Sequence, residues 1–257
     1  MLRWHRSGVL WAVVSLLFGW LAMAGLDAQT RPVQKSPRSS SAKQNASVPG
    51  EEKGVFKILV DGEPKGTEEF AITPQNGKIV ARGKIHLAIA RDEKPVEYLI
   101  ETELQLQPNY DPIQYTLSQK FSGNTAAIKM NFTAGKAKVE FNTGSGTERR
   151  EFDLAPDVTL LDDNIFHQYC LLVRRYNFDK GGLQEFSAFI PQESIGGILH
   201  MILKGDETVP VNNKPVTAQH LLVDTNDLKL DVYVTGSDHR LVKIVVPTAN
   251  VVVERVE

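Results

Sequence analysis

The sequence predicts an all-β chain with one main helix, a curved antiparallel sheet forming a half-open barrel with the helix packed on its apolar face. Three observations predict it. From Val55 onward most of the chain alternates apolar and polar residues with period two. Clusters of Gly, Asn and Asp interrupt the alternation roughly every 8–12 residues, the spacing of a sandwich or barrel. Beyond the N-terminus, a single stretch, 160–178, has convincing helical periodicity.

The N-terminus comes first. Arg3, His5 and Arg6 precede an almost continuous apolar run from Gly8 to Ala24, and Ala22-Met23-Ala24 offers a small-x-small cleavage pattern, with Ala28 as a second candidate. These features read as a signal peptide over 1–28 and place the mature protein in the periplasm or outside the cell. No cysteine follows the run, so it is not a lipid-attachment signal. Residues 29–53 are rich in Ser, Pro, Lys, Gln and Asn and read as a disordered linker. Its basic residues Arg31, Lys35, Arg38 and Lys43 suit a solvated tether. Residues 54–257 show no composition break and no internal repeat, and are expected to form one domain.

Within that domain, Phe56, Ile58 and Val60 lead into the turn cluster Asp61–Gly66, and Phe70 and Ile72 follow, as a hairpin. After Asn76-Gly77, Ile79, Ala81, Gly83, Ile85, Leu87 and Ile89 alternate with Arg82, Lys84 and His86. After Pro95, Tyr98, Ile100, Leu104 and Leu106 alternate with Glu97, Glu101 and Glu103. One face is apolar and the other charged, the pattern of a sheet wetted on one side. Basic and acidic outer faces suit cross-strand pairing. The meander continues through Tyr115, Leu117 and Phe121, then Ile128, Met130 and Phe132, then Val139 and Phe141, with turns near Gly123, Gly135 and Gly144-Ser145-Gly146.

The helix is expected over 164–176. Ile165, Phe166, Tyr169, Leu172, Val173 and Tyr176 recur at steps of three and four, and Cys170 and Leu171 widen the stripe. Asp162, Asp163 and Asn164 stand where an N-terminal cap belongs, Arg174 and Arg175 suit the negative end, and Gly181-Gly182 supplies a stop. A helix this short needs docking to persist in water. Beyond it, runs around Phe186–Ile190, Ile198–Leu203, Val216–Val223, Leu228–Val234, Leu241–Val246 and Val251–Val253 read as strands. Several are continuously apolar, which suggests cover on both faces. Gly205 is expected to end one of them.

The chemistry is sparse. The sequence contains no H-E-x-x-H, no CxxC, no phosphate-binding glycine loop, no dinucleotide fingerprint and no G-x-S-x-G elbow, so no cofactor is expected. Cys170 is the only cysteine and lies in the helical apolar run, as a buried inert thiol does. Asn45 and Asn131 sit in N-x-S/T contexts. The histidines at 86, 167, 200, 220 and 239 raise a metal question; His200 and His220 fall on strands that would have to be neighbours to share a zinc, and no close-spaced pair exists, so no metal is expected. The charge is near balance, 29 basic against 31 acidic residues, which argues against nucleic-acid binding.

In the C-terminal half, Gly205-Asp-Glu-Thr-Val209, Val216-Thr-Ala-Gln-His-Leu-Leu-Val-Asp224, Leu230-Asp-Val-Tyr-Val234 and His239-Arg-Leu-Val-Lys-Ile244 resemble a secreted bacterial β-protein family without assigned activity. The resemblance implies that the last two segments are a hairpin near the end of an incomplete barrel. The overall plan is similar to that of the periplasmic lipoprotein-carrier half-barrels, which shelter acyl chains in their concavity. No binding residue of those carriers maps onto this chain.

Two non-enzymatic readings stand side by side. In the first, an exported envelope protein binds a lipid or other apolar ligand in a groove lined by Tyr115, Phe121, Met130, Phe132 and Phe141 of the sheet and by Phe166, Tyr169 and Leu172 of the helix. In the second, that space is packed core, and sheet edges with an apolar patch bind another envelope protein. Contact with the membrane is at most transient in either. A hydrolase or metal enzyme using Asp162, His167 or His200 is the third reading.

Overall fold

The computed structural model describes residues 50–91, 94–133, 135–225 and 228–256. The expected signal peptide and nearly all of the expected linker lie outside them. Among the described residues, fifteen strands form one sheet. The first eight are β1 (Glu52–Val60), β2 (Glu63–Gln75), β3 (Lys78–Arg91), β4 (Lys94–Leu106), β5 (Pro112–Phe121), β6 (Asn124–Thr133), β7 (Lys136–Thr143) and β8 (Gly146–Asp153). The short β9 (Thr159–Leu160) and helix α1 (His167–Arg175) follow. The chain then runs through β10 (Leu183–Ile190), β11 (Ile195–Val211), β12 (Lys214–Asp224), β13 (Lys229–Thr235), β14 (Arg240–Val246) and β15 (Val251–Arg255). Glu52 and Lys53, expected in the linker, already belong to β1.

The sheet order is β8-β7-β6-β5-β4-β3-β2-β1-β15-β14-β13-β12-β11-β10-β9. Two up-and-down meanders are therefore joined where β15 pairs antiparallel with β1. All pairings are antiparallel except β9 with β10. The expected alternation sets the faces: Ile79, Ala81, Ile85 and Leu87 point inward and are buried, as are Tyr98, Ile100 and Leu104 on β4. On the outer face Arg82 donates to Glu103 at 2.8 Å across the predicted pair of strands. Positive φ at Asp61, Gly62, Asn76 and Gly77 shows why these residue types stand in the first two turns.

β8 is a strand that the alternation does not reveal, because Phe152 is its one apolar inward side chain. The sheet stays open: β8 and the β9–β10 end share no backbone ladder. Side chains close the gap. By alternation Phe189 lies on the face of β10 opposite Phe186, and Phe152 covers it with ring centroids 5.0 Å apart. The inner face of β8 thus laps the outer face of β10, as in a coil, instead of meeting it edge to edge.

Gly205 does not end β11. It sits at a bulge with φ +113°, and the strand runs on to Val211. The distal part of the β11–β12 hairpin bends over the outside of β13–β15. There Val209, Val211, Ala218 and Tyr233 form a small second core, flanked by Val216, Val242 and Val245. This external cover is why those strands read as apolar on both faces.

Candidate functional site

The space enclosed by the curled sheet is filled by α1 and the chain leading into it. Ile165, Leu172 and Val173 are buried, as the periodicity requires. The ends are held by groups that sequence periodicity does not reveal. Glu68 shares inward parity with Phe70 and Ile72 on β2 and is fully buried. Its Oε2 accepts the N–H groups of Phe166 at 2.9 Å and His167 at 3.1 Å, and its Oε1 lies 2.6 Å from His167 Nδ1. A carboxylate from the wall therefore caps the helix, where free N–H groups concentrate positive charge. Gly83 on β3 makes room: a Cβ there would stand 2.6 Å from His167 Cε1 and 2.7 Å from Nδ1.

At the other end Arg174 pairs with Glu52 of β1. The second oxygen of Glu52 accepts from Arg255 of β15 at 2.5 Å. Arg255 also donates to the Lys53 carbonyl at 2.5 Å and lies over the Phe70 ring, 5.1 Å from its centroid. Arg175 donates to the Thr159 hydroxyl and, at 2.6 Å, to the Asp157 carbonyl.

Asp162, Asp163 and Asn164 do not cap the helix, which starts at His167 with no side-chain cap from its own segment. Asp162 is instead a buried junction. It accepts from the Tyr115 hydroxyl at 2.7 Å and from the N–H groups of Gln192 at 2.9 Å and Asp163 at 3.1 Å. Its own N–H donates to Gln168 Oε1 at 2.6 Å. Burial pushes its pKa up to about 6, against the pull of these donors. Burial, and then the charges of Glu193 and Asp162, raise Asp163 as well. Burial and the Asp162 charge hold the Tyr115 hydroxyl well above its usual range. The junction ties β5 and the segment that follows β10 to the chain leading into α1.

Of the eight side chains expected to line a groove, Tyr115, Met130, Phe141, Phe166 and Leu172 are buried in the main core. Phe121, Phe132 and Tyr169 are partly buried against it. All eight belong to the main core or pack against it on the enclosed side. Cys170 is buried and burial raises its thiol pKa, as expected of an inert sulfur.

The histidines separate. His200 is in register with Asp224, and His220 with Gly205, so four residues of strand, about 13 Å, divide them. His220 instead lies 2.8 Å from Asp231 and 3.3 Å from Glu207, stacked on Tyr233. His200 lies 3.1 Å from Glu185, and His239 stacks on Phe178. Among the described residues no group of three or more His, Cys, Asp or Glu has metal-holding geometry.

The two ends of the sheet differ in chemistry. β8 carries the run Glu148-Arg149-Arg150-Glu151, with Arg149 paired to Glu140 and Arg150 to Glu148. Such charge protects an edge from further strand pairing. β9 covers β10 only at Ala188 and Phe189, so 183–187 has no strand beside it among the described residues. Next to that edge the β10–β11 hairpin exposes Leu183 (53%), Ile195 (55%) and Ile198 (40%). The sequence raises an apolar patch beside sheet edges but does not place it, because exposed and buried aliphatics in β strands look alike; by alternation Leu183 and Ile198 share the outer face and Ile195 lies on the other. A shallow notch lined by Asp61, Val245, Pro247, Asn250 and Val252 lies elsewhere on the surface.

No protein-family model matches the sequence, and no curated protein matches it. Among solved structures the chain is similar to a β-barrel-like protein of a domain of unknown function, DUF1849, from Brucella abortus. The TM-score is 0.54 at 7% identity, covering 81% of this chain and 95% of that one. A DUF1089 family protein from Pseudomonas aeruginosa gives a TM-score of 0.41 at 12% identity, over 68% of this chain and 87% of that chain. The first likeness is one of fold alone: this chain is β-rich with a β-barrel-like fold.

Proposed function

We propose that this chain is an exported, non-enzymatic envelope protein that binds an extended strand of a partner protein along β10. The observation that carries the reading is the contrast between the sheet's ends, one armoured with four consecutive charges, the other open beside the exposed, outward-facing Leu183 and Ile198. Strand addition supplies affinity through main-chain hydrogen bonds and specificity through alternate side chains. Leu183 and Ile198, facing outward beside the edge, favour a partner strand with aliphatic side chains on that face. The interior supports this choice, because the helix is tied by Glu68 at one end and by the Arg174–Glu52 pair at the other, and opening it would take from Glu68 the helix N–H groups it accepts and leave Glu52 only Arg255.

The test is the double variant Leu183→Lys, Ile198→Lys in the mature protein. Lysines guard an edge without touching the core. A partner cross-linked at position 185 should disappear with this variant, and amides 183–187 of the parent should gain exchange protection when that partner binds. An identical cross-link to the double variant ends the reading. Self-association of the parent that the lysines abolish would make the occupant a second copy.

A second reading, an apolar ligand beneath the helix, is favoured by the seam. There the wall closes on Phe152 and Phe189, not on backbone bonds, beside the strands that carry Tyr115, Met130 and Phe141. Native mass spectrometry of protein from its host separates the two: stoichiometric lipid supports the seam, and protein bound without lipid supports the edge.

A further inference from the structure

We infer that the tip of the β11–β12 hairpin is a latch on the outside of the wall whose seating is coupled to helix α1 inside it. The tip is held by few bonds, all outside the main core. Lys243 donates to the Pro210 carbonyl at 2.5 Å and pairs with Glu254 at 3.2 Å. The Asn212 N–H donates to the other oxygen of Glu254 at 3.2 Å, and its side-chain amide donates to the Arg255 carbonyl at 2.7 Å. Beneath lies the second core around Tyr233, which is separate from the main one. The bulge at Gly205 and the imidazole of His220, set between Glu207 of β11 and Asp231 of β13, mark the base of the arm. A small, separately packed element at the end of a long hairpin is the kind of unit that opens before the rest of a domain.

The coupling runs through β15. Glu254 faces outward and serves the latch. Arg255, its neighbour, faces inward, and its carbonyl is the latch's anchor while its guanidinium holds Glu52. Glu52 divides its two oxygens between Arg255 and Arg174 of the helix. A single peptide unit therefore joins the outer tip to the salt-bridged end of the inner helix. Releasing the tip takes the Asn212 hydrogen bond from the Arg255 carbonyl, leaving the β1 ladder alone to fix the residue that holds Glu52 and, through it, Arg174. By thermodynamic reciprocity, loosening the helix end must also loosen the tip.

Hydrogen exchange on the mature protein tests this from both directions. The double variant Asn212→Ala, Lys243→Met should speed exchange in peptides over 206–218 and also over 167–175, by about tenfold, with peptides of β6–β7 unchanged. Glu52→Gln, made from the inside, should speed exchange at the tip as well as in the helix. Faster exchange confined to the altered side in either experiment overturns the coupling, and so does a uniform rise across all peptides, which would report general destabilisation. Should Glu52→Gln fail to fold, the outer pair still decides, because its side chains lie outside the main core.

Discussion

At the scale of single residues, the chain relies on a few inward positions that break the apolar pattern. Gly83 is inward because His167 occupies the volume of a side chain there. Gly83→Ala should destabilise by about 1–3 kcal/mol through overpacking, read as a lower urea midpoint with unchanged slope. Glu68→Ala removes the acceptor of two helix N–H groups and the imidazole. It should cost about 3–5 kcal/mol, and an unfolding curve superimposable on the parent's would refute the capping role. Asp162 gives a pH signature. Its folded pKa, about 6, lies above the ordinary value of 3.8, so the stability it contributes is complete below about pH 4 and declines as pH rises through 6. Paired surface carboxylates such as Glu103, held low by Gln105 and Arg82, act in the opposite sense. The comparison with Asp162→Asn isolates the effect: between pH 4 and 7 the parent should lose about 2 kcal/mol relative to the variant. A difference that stays flat with pH would refute it. The parity of Glu68 and Gly83 was visible in the alternation, since each shares a face with buried neighbours. Their meeting with His167 was not, because 84 or more residues of chain separate them from it.

At the scale of elements, α1 spans nine residues, shorter than the 164–176 that the apolar steps suggest. Residues 162–166 use their polar groups to build the Asp162 junction with Tyr115 and Gln192, and so do not continue the helix. The apolar periodicity survives this shift because those side chains still face the core. Leu172 is fully buried, and Leu172→Asp should lower the melting temperature severely by burying an unpaired charge. Retained thermal stability would mean that the helix is not docked. β8 went unseen because an edge strand rich in charge has almost no apolar face to count, and β11 looked shorter than it is because a glycine bulge resembles a stop.

At the scale of the whole molecule, two meanders meet at β1 and β15, and the ends of the sheet overlap by side chains alone. This architecture leaves one edge guarded by charge and the other open. The double variant Leu183→Lys, Ile198→Lys should keep its stability within about 0.5 kcal/mol, as expected of exposed positions, while losing strand addition. Loss of fold in that variant would show instead that the patch is a structural part of the wall.

Alternation, turn residues and one helical stretch were enough to determine an antiparallel β wall with a helix on its apolar face, because burial on one side imposes period two or 3.6 on any chain. Only the tertiary structure decided how the wall closes, which edge stays open, and that Glu68 and Glu52 hold the helix. Those outcomes depend on pairings between residues far apart in sequence. Local pattern constrains which face a side chain takes, but not which distant side chain it meets there.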